Sequence, residues 1–177
     1  MKHTINGKRA TSNDELMRYL QSVITEGDSI LDLGCGPKLY SDPFKEKCSK
    51  IVTVDAWASV NPDIVADLET ADVSSLVNNE KFDYVLMIDF IEHLDKAAGL
   101  RLIETAKKLA NKKIILLTPL EEIWDDNHKN VNDPSLWCFG NTFDIHKSLW
   151  TIEDFTGWES LNLKGLHHYF VGTFSNA

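Results

Sequence analysis

Ile30-Leu31-Asp32-Leu33-Gly34-Cys35-Gly36-Pro37 carries a buried strand directly into a Gly-x-Gly turn. Two glycines at that spacing let the backbone turn sharply and let a ligand meet main-chain atoms with no Cβ in the way. In open α/β sheets such a turn stands outside the carboxyl end of a strand, where those sheets bind ligands. Asp32 lies inside the strand end. An ionised carboxylate there is costly unless cationic or N–H partners meet it, and a ligand ammonium group would be one.

On either side of this stretch, short apolar runs alternate with helical patterns. The runs are Ser29–Leu33, Lys50–Val54, Ile64–Ala66, Phe82–Ile88 and Lys113–Thr118. Ser12-Asn13 followed by Asp14 and Glu15 starts an N-terminal helix over 13–26, with Leu16, Tyr19, Leu20, Val23 and Ile24 on one face. Further helices are expected near 40–47, 71–78, 94–110 and 147–155. Apolar strands without clean alternation, separated by helices, mean a parallel sheet covered on both faces. Glu159–Leu163 and His168–Phe174, around Lys164-Gly165-Leu166, read as an antiparallel hairpin at the sheet edge. The expected fold is α/β: a three-layer α/β/α sandwich whose mostly parallel sheet ends in a C-terminal antiparallel hairpin.

The chain has 177 residues, 43% hydrophobic and 25% charged, which suits one domain, 1–177, with an ordinary core. Eighteen Lys and Arg against 27 Asp and Glu give a net charge of −9, with a pI near 5.1. That balance argues against duplex nucleic acid or an anionic membrane as partner. No apolar run is long enough for a membrane span, and MKHTINGKRA lacks the marks of a signal peptide, so a cytoplasmic protein is expected. Cys35, Cys48 and Cys138 are odd in number and widely spaced, which excludes a disulfide framework.

Acids stand at three successive strand ends. Asp55 closes the second run, where a carboxylate accepts hydrogen bonds from the two hydroxyls of a ribose. Asp67 follows the third run, where it could accept from an exocyclic adenine amine. Each has a plainer role as well: Asp32 as a turn residue, Asp55 in a strand-end Asx turn, Asp67 as a helix cap. Together they describe a nucleoside that carries a cationic amine. A dinucleotide site is the rival, because Gly34-x-Gly36 with an acid about twenty residues on is also its fingerprint. The third glycine of that fingerprint falls at Leu39, and nothing in it needs Asp32.

ILDLGCGPK, TVDAW, VADLE, FDYVLMIDFIEHL and IILLTP, in that order, resemble the motifs of class I S-adenosylmethionine-dependent methyltransferases, especially the small stand-alone ones, across about residues 28–174. The resemblance implies a Rossmann-like seven-stranded sheet. It implies S-adenosylmethionine as cofactor and S-adenosylhomocysteine as product. It places Asp32, Gly34 and Gly36, with Cys35 between them, at the methionine moiety and Asp55 on the ribose. Ala56 and Trp57 lie beside the adenine, Asp67 and Leu68 at its edge, and Asp89 near the methionine end. Where the family often has a further glycine after Pro37, this chain has Lys38.

Asp89-Phe90-Ile91-Glu92-His93 leaves the fourth strand at the same edge. Glu92 favours a helix N-terminus and His93 packs beside the cofactor; many small methyltransferases have a similar Glu-His with no metal. A sharper reading sets a divalent cation between Asp89, Glu92 and His93, with a fourth ligand from His146 or His128. The expectation adopted is no metal. His146, in Asp144-Ile145-His146-Lys147, is either a base or acceptor-orienting group or a solvated helix-start residue. His93 is the second catalytic candidate. His167 and His168 read as structural or exposed.

Residues 119–146 show no steady period, and a connection of that length in a compact domain is usually functional. Trp124, Trp137, Phe139 and Phe143 within it suit either an acceptor lid or a satellite cluster packed on the sheet. The expected activity is methyl transfer to a small-molecule O or N acceptor. A nucleoside-binding module without transfer is the alternative of a different class.

Overall fold

The computed structural model describes residues 2–5, 8–121 and 128–175, apart from the side chains of 2–4, 9, 11, 128 and 129. Trp124 and the His128 side chain lie outside the described residues. Seven strands form the central sheet: β3 (Ser29–Leu33), β4 (Lys50–Asp55), β5 (Ile64–Val65), β6 (Phe82–Ile88), β7 (Ala110–Pro119), β8 (Glu159–Ser160) and β9 (Tyr169–Ser175). A separate hairpin, β1 (Lys2–Ile5) with β2 (Lys8–Thr11), precedes them. The sheet order is β5-β4-β3-β6-β7-β9-β8. Strands β3 to β7 run parallel, and β9 is antiparallel to both β7 and β8. The order reverses between β3 and β6, the switch point at which such sheets open a crevice.

Both faces of the central strands are apolar, and this is why the runs do not alternate. Leu31, Leu33, Val85, Met87, Ile114 and Leu116 enter one core with Leu102, Ile103 and Ala106 of helix α3 (Lys96–Leu109) and Val73 of α2 (Val73–Leu76). Ile30, Leu86, Ile88, Ile115 and Leu117 enter the other with Leu16, Met17 and Leu20 of α1 (Asp14–Val23). Helix α1 begins where the Asn13 side chain accepts from the Glu15 and Leu16 amides, both 3.0 Å away.

Several expected elements are shorter than the sequence suggests. Helix α1 stops at Val23 instead of 26, because the Thr25 amide and hydroxyl both donate to the Asp28 carboxylate and close a turn. The helix expected near 40–47 is a 3-10 turn, Asp42–Phe44, around Pro43, whose Phe44 plugs the second core. That near 71–78 shrinks to Val73–Leu76, ended by Asn78 and Asn79 in the left-handed region. No helix spans 147–155. The Lys147 and Ser148 amides donate to the Glu92 carbonyl, and only Ile152–Phe155 coils, as a 3-10 turn. Strand 159–163 reduces to Glu159–Ser160, so the last two strands pair over a wide connection rather than a tight hairpin. The β1–β2 hairpin has no counterpart in the sequence reading.

Candidate active site

A cavity of about 430 Å³ opens at the carboxyl edge of the sheet, within the size range of small-molecule sites. Gly34, Cys35 and Gly36 line it from the β3 turn, and Asp55 and Ala56 from the end of β4. Asp67 and Leu68 reach it from beyond β5, Asp89 and His93 from beyond β6, and His146 from the long connection. Of the twelve residues named from sequence, Asp32 and Trp57 are not in the lining. Asp32 is buried beneath the turn, and the Trp57 ring tilts against Trp137, 6.3 Å between centroids, while Trp137 itself faces the cavity.

The β3 turn is held by its neighbour. The Gly34 and Cys35 amides donate to the Val54 carbonyl at 2.9 and 3.2 Å. Gly34 has φ +69°, and a Cβ there would lie 2.1 Å from Cδ2 of Phe90, so a side chain is excluded twice over. The Gly36 amide donates to Asp55 Oδ2 and the Trp57 amide to Asp55 Oδ1, each at 2.8 Å. Asp55 is thereby fixed at the cavity wall with a lone pair on each oxygen still open to a ligand. Burial raises its pKa, against the pull of these amides. Burial also pushes Asp32 up to about 7, with the Ser41 hydroxyl working the other way and the Asp55 and Asp42 charges adding to the rise. Asp67 borders the cavity and accepts from the Glu69 amide at 3.0 Å, so its turn role is realised as well.

Past β6 the chain is strained. Asp89 has φ +54°, its amide donating to the Leu117 carbonyl at 2.9 Å, and its carboxyl opens into the cavity. Surrounding protein raises the Asp89 pKa. Glu92 is fully buried and bonded to the Thr118 hydroxyl at 2.9 Å; burial first, and the Asp89 charge second, lift it well above the usual carboxylate range. His93 lies 4.9 Å from His146, ring centroid to centroid, and its pKa falls to about 3 by burial and the His146 charge. Glu92, His93 and His146 present ligand atoms within 4.8 Å of one another, a carboxylate-and-imidazole set of the kind that holds transition metals. Asp89 is not part of that set.

Other cavity residues were not singled out from sequence, except Trp137 and Phe143, which were named as aromatics of the candidate lid. Asp144 lines it with Oδ1 3.8 Å from His93 Nε2, and burial raises its pKa to about 7. Leu136, Trp137, Cys138, Asn141 and Phe143 line it from the same connection, Tyr169 from β9, Tyr40 from the β3–β4 segment and Ala10 from β2. Tyr40 accepts from the Asn13 amide at 2.9 Å, which ties the start of α1 to this side. The connection is anchored at its far end by Trp150, fully buried against Gly99 of α3, with its indole N–H donating to Ser148 at 2.9 Å. Lys96 sits 4.0 Å over the Trp150 ring. Apart from those two aromatics, only Asp144 carried a local signal, two residues before His146. His167 and His168 are exposed.

A parallel β5-β4-β3-β6-β7 core continued by an antiparallel β9 and an edge strand β8, with a glycine turn, a β4 acid and a cavity at the switch point, defines a class I S-adenosylmethionine-dependent methyltransferase. Over residues 5–172 the chain matches the family described as "Methyltransferase domain", and it belongs to that family. It is similar to the ubiquinone biosynthesis O-methyltransferases of Bartonella quintana, 30% identical over 109 residues, and Bartonella tribocorum, 31% over 106. Those matches cover 56% and 54% of this chain but 44% and 42% of the relatives, so the chain spans less than half their length. Among solved structures, magnesium protoporphyrin IX methyltransferase of Synechocystis PCC 6803 with bound SAH superimposes with a TM-score of 0.59 at 13% identity, over 95% of this chain and 89% of its own. A Rhodobacter sphaeroides protein described as a Zn-dependent alcohol dehydrogenase gives 0.64 at 13%, over 95% and 91%. At such identities the superpositions show the fold alone. Among the described residues no helix is long and apolar enough to cross a membrane.

Proposed function

We propose that this methyltransferase binds S-adenosylmethionine in the half of the cavity made by the β3, β4 and β5 ends and delivers its methyl group to a small-molecule oxygen or nitrogen acceptor. The observation that carries the reading is Asp55, pinned by the Gly36 and Trp57 amides with both oxygens available to a pair of ribose hydroxyls. Gly34, Cys35 and Gly36 would lie along the methionine moiety, with Asp32 beneath and Asp89 at its end. Ala56 and Leu68 would flank the adenine, Asp67 would take its amine, and Trp57 would act through Trp137. The sulfonium is already a strong electrophile, so alignment of sulfur, methyl carbon and acceptor atom is the protein's main contribution. The bond to sulfur breaks as the bond to the acceptor forms, the sulfur keeps the electron pair, and the acceptor proton leaves to a base. His146 suits that role. His93, with a pKa near 3, stays neutral and suits hydrogen bonding to the acceptor.

Residues 119–146 serve as the lid of the acceptor half, a reading supported by Trp137, Phe143 and Asp144 in the lining. The chain acts as one domain, 1–177, in the cytoplasm, without duplex nucleic acid, as the acidic balance and three free cysteines favour. S-adenosylhomocysteine should raise the melting temperature by mass action, and incubation with S-adenosylmethionine and a small-molecule extract should yield S-adenosylhomocysteine. Stabilisation by NADH with none by either methyl-cycle ligand would overturn the assignment in favour of a dinucleotide site.

The Glu92, His93 and His146 cluster supports a second reading, in which a divalent cation orients the acceptor. Cation-free transfer is preferred, because one Glu92 oxygen is already bonded to Thr118 and its setting favours the proton a ligand would have to lose. Turnover should therefore survive EDTA. Abolition by EDTA with rescue by Mg²⁺ or Mn²⁺, and no rescue in His93→Ala, would establish the cation.

A further inference from the structure

The strand ends at the cavity are placed by sheet register, but the loop that follows β4 lies outside the ladder and is held by other means. Trp57 to Asn61 forms one tight turn, in which the Val60 amide donates to the Trp57 carbonyl at 3.1 Å and the Asn61 amide to the Ala58 carbonyl at 2.9 Å. The turn ends with Asn61 in the left-handed region, at φ +54°. Ala56 and Val60 of this segment line the cavity. Its far end is fixed to β4 by Asp63, whose carboxylate accepts from the Thr53 amide at 2.8 Å and the Thr53 hydroxyl at 2.7 Å. The turn itself is reached from the glycine turn after β3: the Lys38 ammonium donates to the Asn61 carbonyl.

Lys38 is strained where it stands. Its φ is +57°, in the left-handed region that glycine adopts freely and a residue with a Cβ adopts rarely. The backbone is fixed on both sides, its amide donating to the Cys35 carbonyl at 2.8 Å and its carbonyl accepting from the Asp42 amide at 3.1 Å. Glycine would keep both bonds and lose the strain. Pro37 and Leu39 line the cavity, whereas Lys38 borders a separate small cleft with Thr53 and Asp63, so it acts through the cavity wall and not on the ligand. We propose that Lys38 is a positioning residue for the cofactor. On the methyl-transfer reading, on which this inference rests, its ammonium ties the Trp57–Asn61 turn to the glycine turn and holds the adenine wall in place before the cofactor arrives. A wall ordered in advance spares the ligand the entropy of ordering it.

Titration of S-adenosylhomocysteine into the whole chain tests this. Lys38→Met keeps the stem and the strained backbone but loses the donor, and its affinity should fall about three- to tenfold, the worth of one hydrogen bond. Lys38→Arg keeps a donor of similar reach and should stay within about twofold of the wild type. Lys38→Gly separates positioning from folding. The same loss of affinity is expected, with a ligand-free melting temperature at or above that of the wild type, because the backbone strain is gone. 5′-Methylthioadenosine, which shares the nucleoside and lacks the amino-acid end, should lose affinity for Lys38→Met by the same factor, measured by competition. Unchanged affinity in both Lys38→Met and Lys38→Gly would overturn the inference and leave the methyl-transfer reading standing. A loss for S-adenosylhomocysteine with none for 5′-methylthioadenosine would place the effect at the methionine end and overturn the assignment to the adenine wall. A melting temperature of Lys38→Gly that falls in step with its affinity would make Lys38 part of the packing and not a positioning residue. A wild-type chain that binds neither ligand would remove the methyl-transfer reading and the inference with it.

Discussion

The two halves of the cavity are built by opposite means. The half proposed for the nucleoside is made of strand ends and main-chain amides: the Gly34 and Cys35 amides on the Val54 carbonyl, and Asp55 clasped by the Gly36 and Trp57 amides. Its geometry follows from sheet register, and no side-chain rotamer has to be chosen. The half proposed for the acceptor is made of side chains on an irregular connection, held at one end by Glu92 and Trp150. Phe139 and Phe143 there remain 50% and 43% exposed, as residues of a settled core cluster would not. A backbone-built half fits one constant ligand. A side-chain-built half can be re-specified by a few substitutions without disturbing the fold.

The contrast is broken most severely at Gly34. Alanine there would place its Cβ 2.1 Å from the Phe90 ring at a φ of +69°. A clash with a half-buried backbone turn is expected to cost over about 4 kcal/mol, enough to lose most of the folded protein. Adding Phe90→Ala should recover part of the yield, as judged by melting temperature. Gly34→Ala melting with the wild type would mean that the turn is not rigid and that the strand-end half is no firmer than the long connection.

Asp32 supplies the next largest effect, through pH. Its folded pKa, about 7, lies above the 3.8 of an ordinary Asp, so the folded state holds this proton more tightly than the unfolded chain. The stability it contributes is complete below about pH 4, declines as the pH rises and is gone above about 7, on the order of 4 kcal/mol in all. Asp144, also raised to about 7, adds a slope of the same sign. Melting curves of Asp32→Asn between pH 5 and pH 8 should show a shallower fall than the wild type, with the Asp144 part remaining. Identical slopes would show that Asp32 is hydrated in the folded protein and does not lie under a dry turn.

Asp55→Ala tests the clasp itself. Losing two hydrogen bonds from a charged acceptor should weaken S-adenosylhomocysteine binding about a hundredfold or more, and the ligand-free melting temperature should fall as well, because the Gly36 and Trp57 amides lose their acceptor. Isothermal titration would measure it. A loss under threefold would take the ribose away from Asp55 and blur the division into two halves.

Legibility from sequence follows the same division. The runs at 29–33 and 82–88 appear as strands at those positions, because each is bounded by local turn chemistry and buried on both faces. That Asp55, Asp67 and Asp89 line one cavity was readable because a strand end dictates where the next residues point. The acceptor half was not, since its contacts join distant parts of the chain. Lys147 meets Glu69 across 78 positions, and Lys96 reaches Asp154 across 58. A helical pattern at 147–155 was overruled by one carbonyl, that of Glu92, which takes the Lys147 and Ser148 amides. Ala10 and Tyr40 came from segments in which nothing in the residue pattern pointed at a cavity. The resemblance to known methyltransferases carried the cofactor roles, and it was silent on Asp144.

His146→Ala should produce the smallest disturbance of the molecule, confined to one half of the site. His146 lies on the extended stretch before Trp150, with its ring 4.9 Å from that of His93, and no strand of the nucleoside half depends on it. If it takes the acceptor proton, its loss should lower turnover about a hundredfold, the ordinary contribution of a positioned base. Affinity for S-adenosylhomocysteine should stay within about twofold, and the melting temperature within about two degrees, which is at most about 1 kcal/mol for a chain of this size. Single-turnover rates with saturating cofactor, set beside titration of the product, separate the two quantities. Parallel losses of turnover, cofactor affinity and stability would show that the connection is packing shared by both halves. Unchanged turnover would move the base elsewhere, with Asp144 next in line by position in the cavity.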